Sequence, residues 1–368
     1  MTHKNSQKTP ILLRLIFFLN IILGIGMLGA YVGTHISPNR IPYIYYLGLG
    51  YPILLTLTLV FILFWLIFKR KYIWFNLVVI LIGWNHLNDF YAFNVGDYAP
   101  SANSIKVMSY NVKIFSLYDL ENRVENRDKI FRFIQKENPD VICFQEFYHQ
   151  EGSSNFVTKD LLINQVELPY YQERYTHEMR GEKYFGVATF SKYPIFYQGE
   201  IAFENDPNNF CIYSDILKGR DTIRVYNAHI GSIRFQDKDY EFFGENGEGV
   251  YPKQKDGRRI LGRLKFAYEK RAIQIEKITK NVENSPYKVV FCGDLNDTPV
   301  SYCYNRLENL LIDGFTESGN GIGTTYVGKI PSNRIDYIFH SEELTGTAFT
   351  TYELDYSDHK PISCAINL

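Results

Sequence analysis

The sequence is poor in cysteine, with only five in 368 residues: Cys143, Cys211, Cys292, Cys303 and Cys364. The number is odd and the spacing wide, so no paired zinc-ligand pattern exists. Cys143, Cys292 and Cys364 fall inside apolar runs, where cysteine behaves as a small hydrophobe, and core packing is the expected role of all five. Acid is almost missing from the first 95 residues, where Asp89 stands alone against seven Lys and Arg residues. The rest of the chain is left with 32 basic and 39 acidic residues. It therefore lacks the basic excess that tight, nonspecific binding to nucleic acid requires. Internal repeats and low-complexity runs are absent as well, which excludes solenoid and array architectures.

What the chain has in quantity is aromatic and aliphatic side chains, with aromatics at 16%. Residues 11–33 are apolar except for Arg14 and Asn20. Lys4 and Lys8 precede them, as in a signal peptide, but the run is long for one and further apolar runs follow. Residues 43–68 contain no charge and suffice to cross a hydrocarbon core of about 30 Å. Tyr43, Tyr45 and Tyr46 mark one edge of this run and Trp65 the other. After Lys69-Arg70-Lys71, residues 72–93 read as a third span that fades into polar residues, the alternative being an interfacial helix. Residues 1–93 are thus expected to form a membrane domain with three helices, its partner the lipid bilayer. Basic residues stay on the cytoplasmic side. Lys4, Lys8 and the Lys69-Arg70-Lys71 run are separated by two spans, so a multi-pass arrangement sends everything after Phe93 out of the cytoplasm. Residues 94–103, with Gly96, Pro100 and Ser101, read as a linker to a domain over 104–368.

Within that domain several apolar strands end in polar residues. A strand over 105–111 ends in Asn111. A helix carries Ile130, Phe131 and Ile134 on one face and stops at Asn138-Pro139. A strand over 141–144 ends at Gln145-Glu146, and one over 222–229 ends on His229. Residues 231–262 read as a surface excursion or substrate loop. A helix follows, with Leu264, Ala267, Arg271, Ile275 and Ile278 on its periodic face. Then comes Val289-Val290-Phe291-Cys292, a continuous apolar run as in a strand covered on both faces. It breaks at Gly293 into Asp294-Leu295-Asn296-Asp297. Residues 302–311 read as a helix. Asp336 lies inside the strand-like run 334–339, where a charge is costly without a partner. Asp358-His359 precedes a closing strand over 362–366. Many neighbouring strands with fewer helices indicate packed sheets with outer helices, an α+β architecture.

Asn111, Glu146, His229, Asp294, Asn296, Asp336, Asp358 and His359 supply four carboxylates, two carboxamides and two imidazoles. Oxygen ligands of this kind suit Mg²⁺, with Mn²⁺ as the alternative. The histidines add phosphate binding and proton transfer, a combination that fits metal-assisted phosphoester hydrolysis.

The ordered series Asn111, Gln145-Glu146, Asn227-Ala228-His229, Gly293-Asp294-Leu295-Asn296, Arg334-Ile335-Asp336-Tyr337 and Ser357-Asp358-His359 resembles the endonuclease/exonuclease/phosphatase superfamily over residues 105–368. The resemblance implies a deoxyribonuclease I-like four-layer α/β/β/α sandwich, preceded here by the transmembrane helices. It implies Glu146 as principal metal ligand with Asn111 beside it on metal or phosphate, and Asp358 supporting the site. Asp294 would position or deprotonate the attacking water, and Asn296 would bond the phosphoryl oxygens. His359, oriented by Asp336, would contact the phosphate, and His229 would serve the leaving group. Asn111, His229 and Asn296 are thereby also the substrate-binding set.

Three functions compete. The first is a membrane-anchored, metal-dependent phosphodiesterase or phosphatase acting outside the cytoplasm on lipid head groups or soluble phosphoesters. The second is an extracytoplasmic DNA or RNA endonuclease, which a basic stripe near Arg234, Lys253, Lys255, Arg258 and Arg259 would favour. The third is a catalytically silent membrane receptor, which the full set of residues opposes. No protein partner is implied.

Overall fold

The computed structural model describes residues 10–94, 96, 99–152, 155–179, 182–204, 206–233, 254–328 and 333–368. Most of the expected loop at 231–262, with Arg234 and Lys253, lies outside the described residues, as does the Lys255 side chain.

The N-terminal region forms a helical bundle: α1 (Ile11–Gly33), α2 (Tyr45–Leu49), α3 (Tyr51–Phe68), α4 (Ile73–Ile82) and α5 (Trp84–Phe90). Among the described residues, α1 and α3 are each long and apolar enough to cross a membrane. Residues 43–68 do not form the single helix expected. They bend at Gly50, immediately before α3 with Pro52 in its first turn, where a missing N–H costs nothing. The expected third span is not one helix either. It is cut at Gly83 into α4 and α5, and α4 at ten residues is only about 15 Å long. The Tyr31 ring lies against Gly83 where a side chain would stand.

Buried polar groups tie the bundle. Asn20 Nδ2 donates to Asn76 Oδ1 at 2.7 Å, and Trp65 Nε1 donates to Asn20 Oδ1 at 2.7 Å, joining α1, α3 and α4. Phe17 stacks on Tyr72 at 4.0 Å and Tyr31 on His86 at 5.1 Å, so α4 and α5 run alongside α1 in the same direction.

The remaining chain is a four-layer sandwich. One sheet has strand order β10-β12-β9-β8-β7-β6: Ile312–Asp313, Asp336–His340, Lys288–Asp294, Asp221–His229, Phe210–Lys218 and Ile195–Ala202. The other has order β13-β14-β2-β3-β5-β4: Thr345–Thr351, Ile362–Asn367, Ser104–Asn111, Val141–Gln150, Lys183–Ser191 and Tyr170–Met179. Pairing is antiparallel except β2 with β3 and β8 with β9. Ile105, Val107, Val141, Cys143, Val225, Val290, Cys292 and Ile338 fill the layer between the sheets. On the outside of the β3 sheet lie α6 (Arg123–Glu137) and α7 (Thr158–Gln165). On the outside of the β9 sheet lie α8 (Gln254–Glu283) and α9 (Tyr302–Glu308). The β9 run is apolar throughout because it is covered twice: Val290 and Cys292 face the other sheet, while Val289 and Phe291 face the helices. All five cysteines are buried and free.

Boundaries differ from the sequence reading in places. The long helix starts at Gln254, inside the expected loop, and β12 starts at Asp336 rather than at residue 334. Nor does β3 end at Glu146. It runs on to Gln150 with a bulge, its pairing to β5 shifting between Phe144 and Phe147. The segment at Phe93 and Asn94 is held too. A two-residue strand β1 (Ala92–Phe93) pairs with β11 (Asn320–Gly321), and Asn94 Nδ2 donates to the Gly319 carbonyl at 2.7 Å.

Candidate active site

Register brings the site together. In the parallel pair β8–β9, His229 stands opposite Asp294, and in the antiparallel pair β9–β12, Asp294 stands opposite Asp336. Three neighbouring strands thus present His229, Asp294 and Asp336 abreast at one sheet end. The other sheet delivers Asn111 from the end of β2 and Glu146 from the bulge in β3. Glu146 has φ of 50°, an uncommon conformation for a residue with a side chain. A bulge of this kind re-aims one side chain out of the pleat.

Asp294 is the hub. Its Oδ2 accepts from Asn111 Nδ2 at 3.0 Å, and the imidazole Nε2 atoms of His229 and His359 lie 3.7 and 3.8 Å away. Its Oδ1 accepts the Asn296 backbone N–H at 2.8 Å, closing a tight turn in which Asn296 also has φ of 50°. The Asn296 side chain donates to the Ile230 carbonyl at 3.1 Å. Burial pushes the Asp294 carboxyl above the usual carboxylate range, against the opposing pull of His359.

His359 Nδ1 meets Asp336 Oδ2 at 2.9 Å, which supplies the partner that a charge inside β12 requires. Burial alone favours the neutral imidazole. Asp336 and then Asp294 outweigh it and push His359 up to about 10. The imidazolium form therefore prevails at neutral pH, with Nε2–H turned toward Asp294. One ligand atom from each of Asp294, Asp336 and His359 lies within 4.8 Å of the others.

Glu146 Oε1 lies 3.9 Å from His229 Nε2. That nitrogen is buried and has no hydrogen-bond partner, and neither has Asp336 Oδ1. A cavity of about 210 Å³ opens beside this pair, lined by Ile114, Phe185, Val187, Asn209, Phe210 and Ser232 among others.

Seven of the eight residues named from the sequence converge here. Asp358 is engaged differently, its Oδ2 accepting an ion pair from Lys113 Nζ at 2.7 Å.

Several residues to which the sequence assigns no role support the site. Lys113 follows Asn111 by two residues, and its backbone N–H donates to Asn111 Oδ1 at 3.1 Å. Ser357 Oγ donates to the Asn111 carbonyl at 2.9 Å and accepts the His359 N–H at 3.2 Å. Gln145 Nε2 donates to Asn227 Oδ1 at 2.8 Å, crossing between the sheets behind the site. Arg271, fully buried, bonds the Asn296 carbonyl. Its signal was in the sequence, a cation on the apolar face of a helix.

Comparison with known proteins supports the fold. Residues 13–90 match the model of a domain of unknown function. The chain is 23% identical over 294 residues to the uncharacterised protein L388 of Acanthamoeba polyphaga mimivirus, spanning 70% of this chain and 98% of that one. An endonuclease/exonuclease/phosphatase from Beutenbergia cavernae DSM 12333 shares the fold with a TM-score of 0.51, at 17% identity and over 72% of each chain. A family protein from Leptotrichia buccalis C-1013-b does so with a TM-score of 0.50, at 19% identity, over 72% of this chain and 100% of that one. Residues 108–359 match the model of the endonuclease/exonuclease/phosphatase family, and the chain belongs to that family.

Proposed function

We propose that this chain is a membrane-anchored, divalent-metal-dependent phosphoesterase whose catalytic domain works outside the cytoplasm. One observation carries the reading: Asp294 stands at hydrogen-bonding or near-contact distance from Asn111, His229 and His359, which come from three distant stretches of chain. Members of the family are hydrolases of phosphoester bonds.

The donor set fits a hard cation. Glu146 offers a partly exposed carboxylate at the mouth, and the buried His229 Nε2 and Asp336 Oδ1 lack partners. Glu146 and Asn111 would hold Mg²⁺, or Mn²⁺, and Asp358, paired with Lys113, would support the site only indirectly. Bound there, the cation supplies charge neutralisation at the phosphoryl oxygens. Asp294, its carboxyl made more basic by burial, aligns a water for in-line attack and takes its proton. The new bond forms between the water oxygen and phosphorus as the ester P–O bond breaks. His359, held protonated by Asp336, donates Nε2–H to an oxygen that gains charge, and the remaining amide hydrogen of Asn296 serves another. His229 faces the side where the leaving group departs.

The cavity beside Glu146 and His229 has no Lys or Arg among its described lining residues. That supports a compact substrate such as a lipid head group or a soluble phosphoester over a nucleic-acid polyanion. For the membrane part, α1, α3 and the α4–α5 pair would make three passes. The Lys69-Arg70-Lys71 run then sits at the end of the bundle away from the catalytic domain, on the cytoplasmic side.

The test is hydrolysis by the full chain in detergent, with and without Mg²⁺, on a bis-aryl phosphate, sphingomyelin, inositol phosphates, plasmid DNA and RNA. The expected result is Mg²⁺-dependent cleavage of a non-nucleic-acid ester that Asp294→Asn abolishes. Preferred cleavage of DNA or RNA overturns the substrate class, and metal-independent or Asp294-independent turnover overturns the mechanism. A C-terminal reporter active only in the cytoplasm overturns the orientation.

A further inference from the structure

The turn that carries Asp294 and Asn296 is braced from below by α8 and, through α8, by the N-terminal helices. Asn296 sits in the left-handed region with a side chain, a conformation that persists only where the surroundings enforce it. Arg271 of α8 supplies that enforcement. Its Nη1 donates to the Asn296 carbonyl, and its Nε lies 3.7 Å from Asp297 Oδ2, with both side chains fully buried. The guanidinium carbon stands over the Tyr268 ring, 4.2 Å from its centroid. Tyr268 also stacks on Tyr45 of α2, at 4.3 Å and 16°.

The same segment reaches the catalytic turn a second time. Gly48 packs on the carbonyl oxygen of Val300, so closely that a side chain there would collide with it. Val300 in turn is buried among Met27, Tyr31, Tyr51 and Leu55 of the bundle. Tyr46 Oη donates to the Leu261 carbonyl at 2.8 Å and Asn39 Nδ2 to the Glu269 carbonyl at 3.0 Å, fixing α2 along α8.

We propose that Arg271 is a positioning residue for Asn296, that Tyr45 and Tyr268 hold it in place, and that the catalytic turn is incomplete without the N-terminal helices. The proposal rests on the phosphoesterase reading for its kinetic part only. Tyr45 touches nothing in the site. It acts through a stack of two rings and a guanidinium on the backbone oxygen of Asn296, and so on the N–H that Asn296 gives to Asp294. Gly48 holds the far end of the same turn.

The test uses the full chain in detergent, stripped of metal, with hydrogen–deuterium exchange read in peptides covering residues 294–300. Tyr45→Ala and Arg271→Lys are expected to raise exchange there while β8 keeps its wild-type protection. Arg271→Lys keeps a charge for Asp297 but loses the planar fork that reaches Asn296. In turnover, both lower kcat roughly ten- to a hundredfold with KM unchanged, as a small misplacement of a catalytic group does. Tyr45→Phe, which keeps the ring, restores both readings. Wild-type exchange in Tyr45→Ala overturns the proposal, and so does a rise in KM at constant kcat or a Tyr45→Phe variant as impaired as Tyr45→Ala. If Arg271→Lys fails to fold, the two Tyr45 variants decide. If wild type hydrolyses no phosphoester, the phosphoesterase reading fails, and the exchange results still judge the brace.

Discussion

His359 Nδ1 lies 2.9 Å from the carboxylate of Asp336, and both side chains are buried. The pair has a signature in pH. The folded-state pKa of His359 is raised from 6.5 to about 10, so its contribution to stability is complete below the unfolded value and is lost as pH rises through the folded one. The melting temperature of metal-free protein is expected to fall between about pH 7 and 10, and Asp336→Asn should remove most of that slope. The same variant is expected to lower kcat by about 10²–10⁴, the range of a positioned acid–base group. Thermal melts across pH and steady-state rates check the two halves separately.

Glu146 projects from the bulge in β3 with no Lys or Arg paired to it among the described residues, the His229 imidazole lying 3.9 Å away. Glu146→Gln keeps the shape and removes the charge. It is expected to weaken Mn²⁺ binding by at least about tenfold while leaving the melting temperature of metal-free protein within a few degrees. Mn²⁺ titration followed by electron paramagnetic resonance measures the first, and calorimetry the second.

Acid should act at a different place. Asp206 is buried, which by itself favours the neutral acid, but Lys270, Asn209 and Gln274 bond its carboxylate and bring the pKa below the usual value. A depressed folded-state pKa contributes stability that is present above the unfolded value and is lost as pH falls through the folded one. Melting temperature is expected to drop on acidification from about pH 5 toward pH 3, and Asp206→Asn to be less sensitive over that interval. A wild-type slope in Asp206→Asn contradicts this.

Arg334 joins the two halves of the chain. Its Nη1 bonds Asp313 Oδ2 and its Nη2 the Asp89 carbonyl, each at 2.5 Å. Arg334→Ala strands a buried carboxylate and is expected to cost about 3–5 kcal/mol. Chemical denaturation in detergent gives the figure directly.

Within the bundle, Asn20 serves Trp65 and Asn76 at once. Asn20→Leu leaves the Trp65 indole N–H without a partner and takes from Asn76 its closest one, and a loss of about 1–2 kcal/mol is expected, with a shifted Trp65 emission.

The catalytic cluster was legible because it depends on strand ends. An apolar run that breaks into Asp, Asn or His marks a strand mouth whichever strand lies next to it, so Asp294, His229 and Asn111 needed no tertiary knowledge. Asp336 was legible as an anomaly, a charge where only a partnered one survives. Pairwise commitments of charges were not. Nothing local says that Asp358 turns to Lys113, because that choice is made by the turn over Lys113–Ser116, whose residues have φ of 43–54°. Gly83 is likewise an ordinary helix glycine in sequence, and only the Tyr31 ring packed onto it turns one expected span into two helices. The helix start at Gln254 was not legible because Gln254 to Arg263 carries few apolar residues, and Ile260 finds its cover on the N-terminal helices rather than in the main core.

Asn111 and Glu146 belong to one sheet, while His229, Asp294 and Asp336 belong to the other, and between them lies a seam of aliphatic side chains and thiols, bridged by Gln145 and Asn227. The distance across which phosphorus is attacked is therefore a property of how two sheets are shimmed apart. Enlarging or trimming Cys143 or Cys292, deep in that seam and in contact with no reacting group, would be felt first as altered turnover.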